Sequence, residues 1–261
     1  MSDSPFLLRT DDEGVTTLVL DRPQSRNSLS LGMLQALRAA LGAIREDPAV
    51  RVVIIAGSGP AFCAGHDLKE LRERAYDPGY VDELFSLCAE VMMAMVHLPK
   101  PVIARVHGIA TAAGAQLVAS ADLAFAALDA RFATPGVNIG LFCSTPMVAL
   151  SRNVAPKHAM QMLLTGELID AATAFRMGLV NELAPLGELE ARTLACARRL
   201  AAKSPLTLAI GKEAFYRQAE LPLAEAYAYT RAVMARNLEA LDAREGIAAF
   251  LDKRPPVWCG R

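Results

Sequence analysis

The sequence predicts a layered α/β core followed by a helical C-terminal region. Three observations carry this reading. β-branched apolar runs alternate with helical patterns up to about residue 155; the pattern becomes nearly continuous helix beyond residue 156; and two small-residue turns, Ala64-Gly65-His66 and Ala112-Ala113-Gly114, each lie between an apolar run and a helix start. Such alternation is the pattern of a sheet covered by helices, and the later change divides the chain into two regions.

Residues 6–10 and 15–21 read as an opening hairpin turned at 11–14, and Arg22-Pro23 stops its second strand because proline has no N–H for a ladder. Ser30 is the expected N-cap of a helix to about residue 46, in which Leu31, Leu34, Leu37, Leu41 and Ile44 recur at the spacing of one buried face. A buried strand over 50–56 follows. A helix over 80–96 places Val81, Leu84, Phe85, Cys88, Val91, Met92 and Met95 on one broad face; with Met93 it is either core packing or the wall of an acyl-chain tunnel. Strands are expected at 102–106 and 123–126 around a short helix at 113–121, then helices near 156–164, 170–177, 187–202, 205–219, 222–240 and 243–253.

Composition narrows the function classes. Hydrophobic residues make up 53 % of 261, but the longest uncharged stretch, 106–121, is interrupted by His107, Thr111, Gln116 and Ser120. It falls short of the roughly 20 apolar residues a membrane span needs, so no membrane association is expected. The balance of 27 basic and 28 acidic residues leaves no electrostatic footprint for nucleic acid. Five cysteines form no C-x-x-C pair, and residues 1–14 show no export or organelle leader, so the expected compartment is the cytoplasm with reduced thiols.

Standard motifs are missing. Gly57-Ser58-Gly59 is not followed by the third glycine of a dinucleotide fingerprint, and there is no P-loop, H-E-x-x-H or G-x-S-x-G. The four histidines lack metal-ligand spacing; no metal is expected, and His97, His107 and His158 read as structural or exposed. What remains is the pair of turns. The first N–H groups of a helix have no intrahelical partner and carry the positive end of its dipole. Two such turns aimed at one oxygen make an oxyanion hole.

The segments Asp21-Arg22-Pro23 with Arg26-Asn27-Ser28-Leu29, Phe62-Cys63-Ala64-Gly65-His66-Asp67-Leu68-Lys69-Glu70, and Lys100-Pro101-Val102-Ile103-Ala104 through Gly114 resemble the enoyl-CoA hydratase/isomerase (crotonase) superfamily, in order along nearly the whole chain. Residues 110–116 and 136–145 resemble most closely its enoyl-CoA hydratase domain-containing protein 3 subgroup. The resemblance implies a ClpP/crotonase-like ββα spiral core over residues 1–200, a C-terminal helical trimerisation region over 201–261, and a homotrimer or dimer of trimers. It implies an acyl-CoA ligand and no cofactor beyond that thioester. By position the oxyanion donors are the N–H groups of His66 and Ala113. CoA would run along Arg26, Ser28, Ala64, Leu68, Lys69 and Gly114, with Phe250 and Lys253 holding a neighbour's CoA.

One departure decides the chemistry. Where the hydratases of this superfamily carry two glutamates, the sequence has Gln116 and Gly136. A carboxamide can orient water but exchanges no proton near neutral pH, and glycine offers only backbone. Each lost acid/base group removes about 10²–10⁴ in rate. Efficient hydration is therefore not expected, and installing glutamates at both positions is expected to create it. Three readings stay open: an enolate-forming lyase or isomerase, such as a malonyl-type decarboxylase, which Gly65-His66-Asp67 also resembles; a slow hydratase; and a non-catalytic acyl-CoA-binding protein.

Smaller features carry paired readings. His66 either packs or acts; Asp67 caps a helix; Lys69 and Arg72 either meet CoA phosphates or lie on a solvated face. Asn138, Cys143, Ser144 and Thr145 could line the pocket, although Cys63 and Cys143 lack an activating partner in sequence. Glu83, Glu90 and Asp122 could restore a carboxylate if the fold turns them inward.

Overall fold

The computed structural model describes residues 6–261. In chain order its elements are β1 (Leu7–Asp12), β2 (Val15–Leu20), α1 (Leu31–Glu46), β3 (Val52–Gly57), β4 (Ala61–Cys63), α2 (Leu68–Glu73), α3 (Pro78–Val96), β5 (Val102–Val106), β6 (Ile109–Thr111) and α4 (Ala113–Ser120). There follow β7 (Leu123–Ala127), β8 (Arg131–Ala133), α5 (Ser144–Asn153), α6 (Pro156–Thr165), β9 (Ile169–Asp170), α7 (Ala171–Met177), β10 (Glu182–Ala184), α8 (Leu186–Ala201), α9 (Pro205–Gln218), α10 (Leu223–Glu239) and α11 (Leu241–Leu251). The leader reading of residues 1–14 falls partly on residues 1–5, which lie outside the described residues.

Two sheets organise the core. One has the order β1-β2-β3-β5-β7-β10, parallel except for the β1–β2 hairpin; the other has the order β4-β6-β8-β9. Three strands of the first sheet are each followed by a short strand of the second and then by a helix: β3, β4, α2; β5, β6, α4; β7, β8, α5. This is the ββα spiral. The long strands β3 and β5 are nearly continuous apolar runs because both their faces are covered, as parallel strands require.

Some expectations shift. The hairpin turn spans Glu13 and Gly14 rather than 11–14, since both residues adopt positive φ (46° and 81°), the geometry whose twist matches two-residue hairpins. The strands β4, β6 and β8 escaped the sequence reading because three residues are too few to show alternation. The helical pattern beyond 156 is broken by β9 and β10, and residues 144–153 form an additional helix.

Ser30 caps α1, its hydroxyl accepting from the Met33 N–H, and Met33, Leu34, Leu37, Leu41 and Ile44 are buried. Against α1 packs α3, whose Leu84, Cys88, Val91, Met92 and Met95 are buried in the core. The methionine stripe is thus core, except for Met93, which is 51 % exposed. The helix α9 is fastened to the core by a buried cation: Lys212 Nζ donates to Asp122 Oδ2 (2.7 Å), Met95 O (2.8 Å) and Lys100 O (3.0 Å), while the Tyr216 hydroxyl donates to Asp122 Oδ1 (2.9 Å). Burial lowers the Lys212 pKa, and Asp122 offsets that.

Candidate functional site

The site begins where two sequence-distant loops pair through their backbones. Ala64 donates its N–H to Arg26 O (3.0 Å), Leu29 to Gly65 O (2.7 Å), and Asp67 to Leu29 O (3.3 Å). This parallel bridge fixes direction, because successive groups of an extended segment alternate sides. With Gly65 O and Asp67 N–H facing Leu29, the His66 N–H points the other way. It has no acceptor among the described residues.

Asn27 holds this loop. Its carboxamide accepts from Arg22 N (2.8 Å) and donates to Ser58 O and Ala61 O (both 2.8 Å). The sequence reading quoted Asn27 within a motif without assigning it this work. Asp67 caps α2 as expected, accepting from the Lys69 and Glu70 N–H groups, the Ser28 hydroxyl (3.1 Å) and the Arg22 guanidinium (3.2 Å). Burial raises its pKa, but the Glu70 N–H, Ser28 and Arg22 outweigh that and hold it below the usual carboxylate range.

The second turn meets the first across glycine. A Cβ on Gly65 would lie 2.8 Å from Ala112 Cβ and 3.4 Å from Ala113 N, and one on Gly114 would run into the carbonyl of Cys63. Only hydrogen at these positions lets the backbones approach so closely. Thr111 adds a hydroxyl bond to Ala64 O (3.1 Å). Ala112 adopts φ 50°, ψ −119°, unusual for a residue with a Cβ, and is pinned there by its N–H on Ala133 O (2.9 Å). Such strain costs about 1–3 kcal/mol and marks a segment that the surroundings over-determine. It presents the Ala113 N–H at the head of α4, again with no acceptor among the described residues. Each of the two adjoining turns thus carries one backbone N–H with no acceptor among the described residues.

Around these donors the side chains are neutral. The His66 ring meets Phe85 edge-on, centroids 4.8 Å apart, and neither ring nitrogen has a hydrogen-bond partner among the described residues. Burial lowers its pKa to about 4, so the imidazole is uncharged at neutral pH. Gln116 is 5 % exposed and its Oε1 is unpartnered; Thr134, missed in sequence because nothing distinguishes it from a loop hydroxyl, is 1 % exposed with an unpartnered Oγ1. Gly136 is buried and gives its N–H to Cys143 Sγ (3.3 Å). Burial raises the Cys143 thiol and pushes Cys63 up to about 12, so both are protonated and neither is an activated nucleophile.

Several sequence candidates do not converge here. Asp122 is engaged by Lys212 and Tyr216, Glu90 pairs with Arg38 (2.6 Å) on the surface, and Glu83 is exposed. No carboxylate replaces the missing pair from these positions. Ser144 is exposed and bonds to Phe142 O, and Asn138 donates to Gly166 O. Leu68, Lys69 and Arg72 lie on the exposed side of α2, where Lys69 borders a cleft of about 610 Å³ with Arg22, Ser30, Glu70 and Arg74. Arg26 is exposed beside the bridge, while Phe250 (82 % exposed) and Lys253 lie at the end of α11, which packs on α9 and α10.

The second of the two glutamate positions is crowded. A Cβ on Gly136 would lie 2.9 Å from Leu141 O and 3.0 Å from Cys143 Sγ, so the loop closes over the place a side chain needs. Gly136→Ala is expected to lower stability by about 1–3 kcal/mol in urea denaturation. The control Gly42→Ala, whose added methyl meets nothing within 4 Å, should leave it unchanged or raise it.

His66 yields a pH prediction. Its folded pKa of about 4 lies below the ordinary 6.5, so the unfolded chain takes up a proton that the fold refuses. The associated stability is fully present above pH 6.5 and is lost as pH falls toward 4. Between pH 7 and pH 5 the histidine should cost about 2 kcal/mol. Urea midpoints at the two pH values should differ less for His66→Phe than for the wild type.

Comparison with known proteins agrees with this geometry. The family model described as enoyl-CoA hydratase/isomerase matches residues 10–261. A mouse relative, enoyl-CoA hydratase domain-containing protein 3, mitochondrial, is 47 % identical over 246 residues, 94 % of this chain and 82 % of that protein. Its Xenopus laevis counterpart is 45 % identical over 258 residues, 99 % of this chain and 87 % of that one. Among solved structures, an enoyl-CoA hydratase of Mycobacterium smegmatis superposes with a TM-score of 0.95 at 52 % identity (98 % of this chain, 99 % of that one), and the human domain-containing protein 3 with 0.94 at 46 % (98 % and 100 %). The cytoplasmic expectation is overturned by the mitochondrial names of these relatives. It rested on the leader reading of residues 1–14 and on the cysteine pattern, and the fold encodes no address. The chain belongs to the enoyl-CoA hydratase/isomerase (crotonase) family, in its enoyl-CoA hydratase domain-containing protein 3 subgroup.

Proposed function

We propose that this protein binds acyl-CoA thioesters and polarises their carbonyl between the His66 and Ala113 N–H groups, without the acid/base pair that efficient hydration needs. The observation that supports this reading is the close approach of two turns at Gly65 and Gly114, each carrying an N–H with no acceptor among the described residues. One such donor is worth about 10²–10³ in rate where negative charge develops on the oxygen.

The CoA moiety runs along Ser28, Ala64, Leu68 and Gly114, with Arg26 and Lys69 supplying cations for its phosphates. Phe250 and Lys253 serve the CoA of a neighbouring copy. The apolar side chains that α9, α10 and α11 leave exposed, Phe215, Leu223, Tyr227, Met234 and Leu251, support burial between copies in a trimer or a dimer of trimers. The thioester is the ligand; no further cofactor takes part.

The neutral surroundings favour one enolate-forming reaction. Removal of an α-proton needs a base; Gln116 and Gly136 supply none, and the His66 imidazole, its pKa lowered to about 4 by burial, is a weak one. Loss of CO₂ from a malonyl-type thioester needs none, because the breaking C–C bond leaves its electron pair in the enolate.

The decisive assay follows crotonyl-CoA by loss of enoyl absorbance at high enzyme concentration, with affinity measured in parallel. The expected result is micromolar to millimolar binding with hydration at least about 10²-fold below a family member that has both glutamates. Malonyl-type thioesters are then the substrates to assay, and absence of turnover on these too would leave a binding protein. Hydration at the rate of such a relative would overturn the reading.

A further inference from the structure

The two oxygens of Asp67 serve different segments. A helix cap needs one side-chain oxygen on the first N–H groups, and Oδ1 supplies it to α2, accepting from Lys69 N (3.1 Å) and Glu70 N (3.4 Å). Oδ2 turns instead to the loop before α1, where it accepts from the Arg22 guanidinium (3.2 Å) and the Ser28 hydroxyl (3.1 Å). The same Arg22 nitrogen reaches Ser28 O (3.4 Å), which closes a ring of Arg22, Ser28 and Asp67. With side chains 23 % and 11 % exposed, Arg22 and Asp67 form a sheltered pair that solvent ions screen little.

Arg22 is itself held in place. Its N–H donates to Asn27 Oδ1 (2.8 Å), its carbonyl accepts from Asn27 N and Ser25 N (both 3.0 Å), and its guanidinium lies over the Phe6 ring, 5.7 Å from the centroid.

The clamp acts on the residue that follows the His66 N–H. His66 stands between two bonds to Leu29: the Leu29 N–H on Gly65 O (2.7 Å) before it, and the Asp67 N–H on Leu29 O (3.3 Å) after it. The second bond is longer than the usual backbone range, so the bridge alone holds the Asp67 side loosely. The charge-assisted bond from Arg22 to Oδ2 ties that side to the loop carrying Leu29. Capping α2 would not require it.

We infer that Arg22 is a positioning residue for the His66 N–H, acting through Asp67 Oδ2. The clamp keeps the donor's direction fixed when a thioester oxygen draws on it. This rests on the thioester-binding reading but on no particular reaction.

Asp67→Asn separates the clamp from the cap. Its carboxamide oxygen still caps α2, as asparagine does about as well as aspartate, while its NH₂ group faces the guanidinium in place of Oδ2. Arg22→Gln removes the cation from the other side. The full-length protein is titrated with butyryl-CoA carrying ¹³C at the thioester carbonyl, read by calorimetry and infrared difference spectra, and with the butyl-CoA thioether, which lacks that carbonyl. Each variant should bind butyryl-CoA about 10-fold more weakly, with its carbonyl stretch moved back toward the free value, and bind the thioether as before. The double variant should be no worse than either single one, because both remove the same interaction. Equal weakening of thioester and thioether would overturn the inference, since Arg22 would then serve the CoA portion or the fold at large. So would variants whose bound carbonyl stretch stays at the wild-type value while the wild type shows a clear shift; the thioester reading would then stand. A wild-type protein that leaves the carbonyl stretch unmoved would sink that reading and this inference together.

Discussion

The site depends on one close approach of backbones. Leu29 gives its N–H to Gly65 O at 2.7 Å, and Gly65 and Gly114 let the two turns touch where a Cβ would collide with Ala112 Cβ or with the Cys63 carbonyl. That contact turns the His66 N–H away from Leu29. Enlarging either glycine separates the donors whatever the rest of the fold does. The two sheets exist, in this sense, to deliver four loops to one place: the long strands β3 and β5 carry the chain there, and the short strands β4, β6 and β8 set the register of the turns. The strain held at Ala112 belongs to the same device.

The chemistry of the site is defined by neutral groups. Each side chain at a position suited to proton transfer is a carboxamide, an uncharged imidazole, a protonated thiol or absent altogether. The His66 imidazole packs on Phe85 with its pKa lowered to about 4, so it is uncharged at neutral pH. At Gly136 the loop leaves no room for a side chain, with Cys143 Sγ against the glycine. Position 136 therefore differs in its packing as well as in the residue it carries.

Much of this was legible in the sequence, for physical reasons. Long apolar strands and helices with one buried face announce themselves by period, as α1 does through Leu34, Leu37, Leu41 and Ile44. Asp67 read correctly as a cap because a carboxylate before a helix start has one dominant local use. The small-residue turns stood out because they interrupt strong patterns. What the sequence could not carry was proximity. Three-residue strands have no period to detect, the fate of Asp122 was decided by Lys212, ninety positions away, and nothing local marks Thr134 as buried beside the donor turn. Nor did composition encode the compartment, where the mitochondrial names of relatives overturn the cytoplasmic expectation.

The central claim is that two backbone N–H groups act together on one thioester oxygen. Infrared difference spectra of an acyl-CoA carrying ¹³C at the thioester carbonyl, taken free and protein-bound, test it most directly. Hydrogen bonds from both donors should move the bound carbonyl stretch to clearly lower frequency, with no such change for a CoA thioether analogue that lacks the carbonyl. A thioester that binds with its carbonyl stretch unmoved would contradict the account.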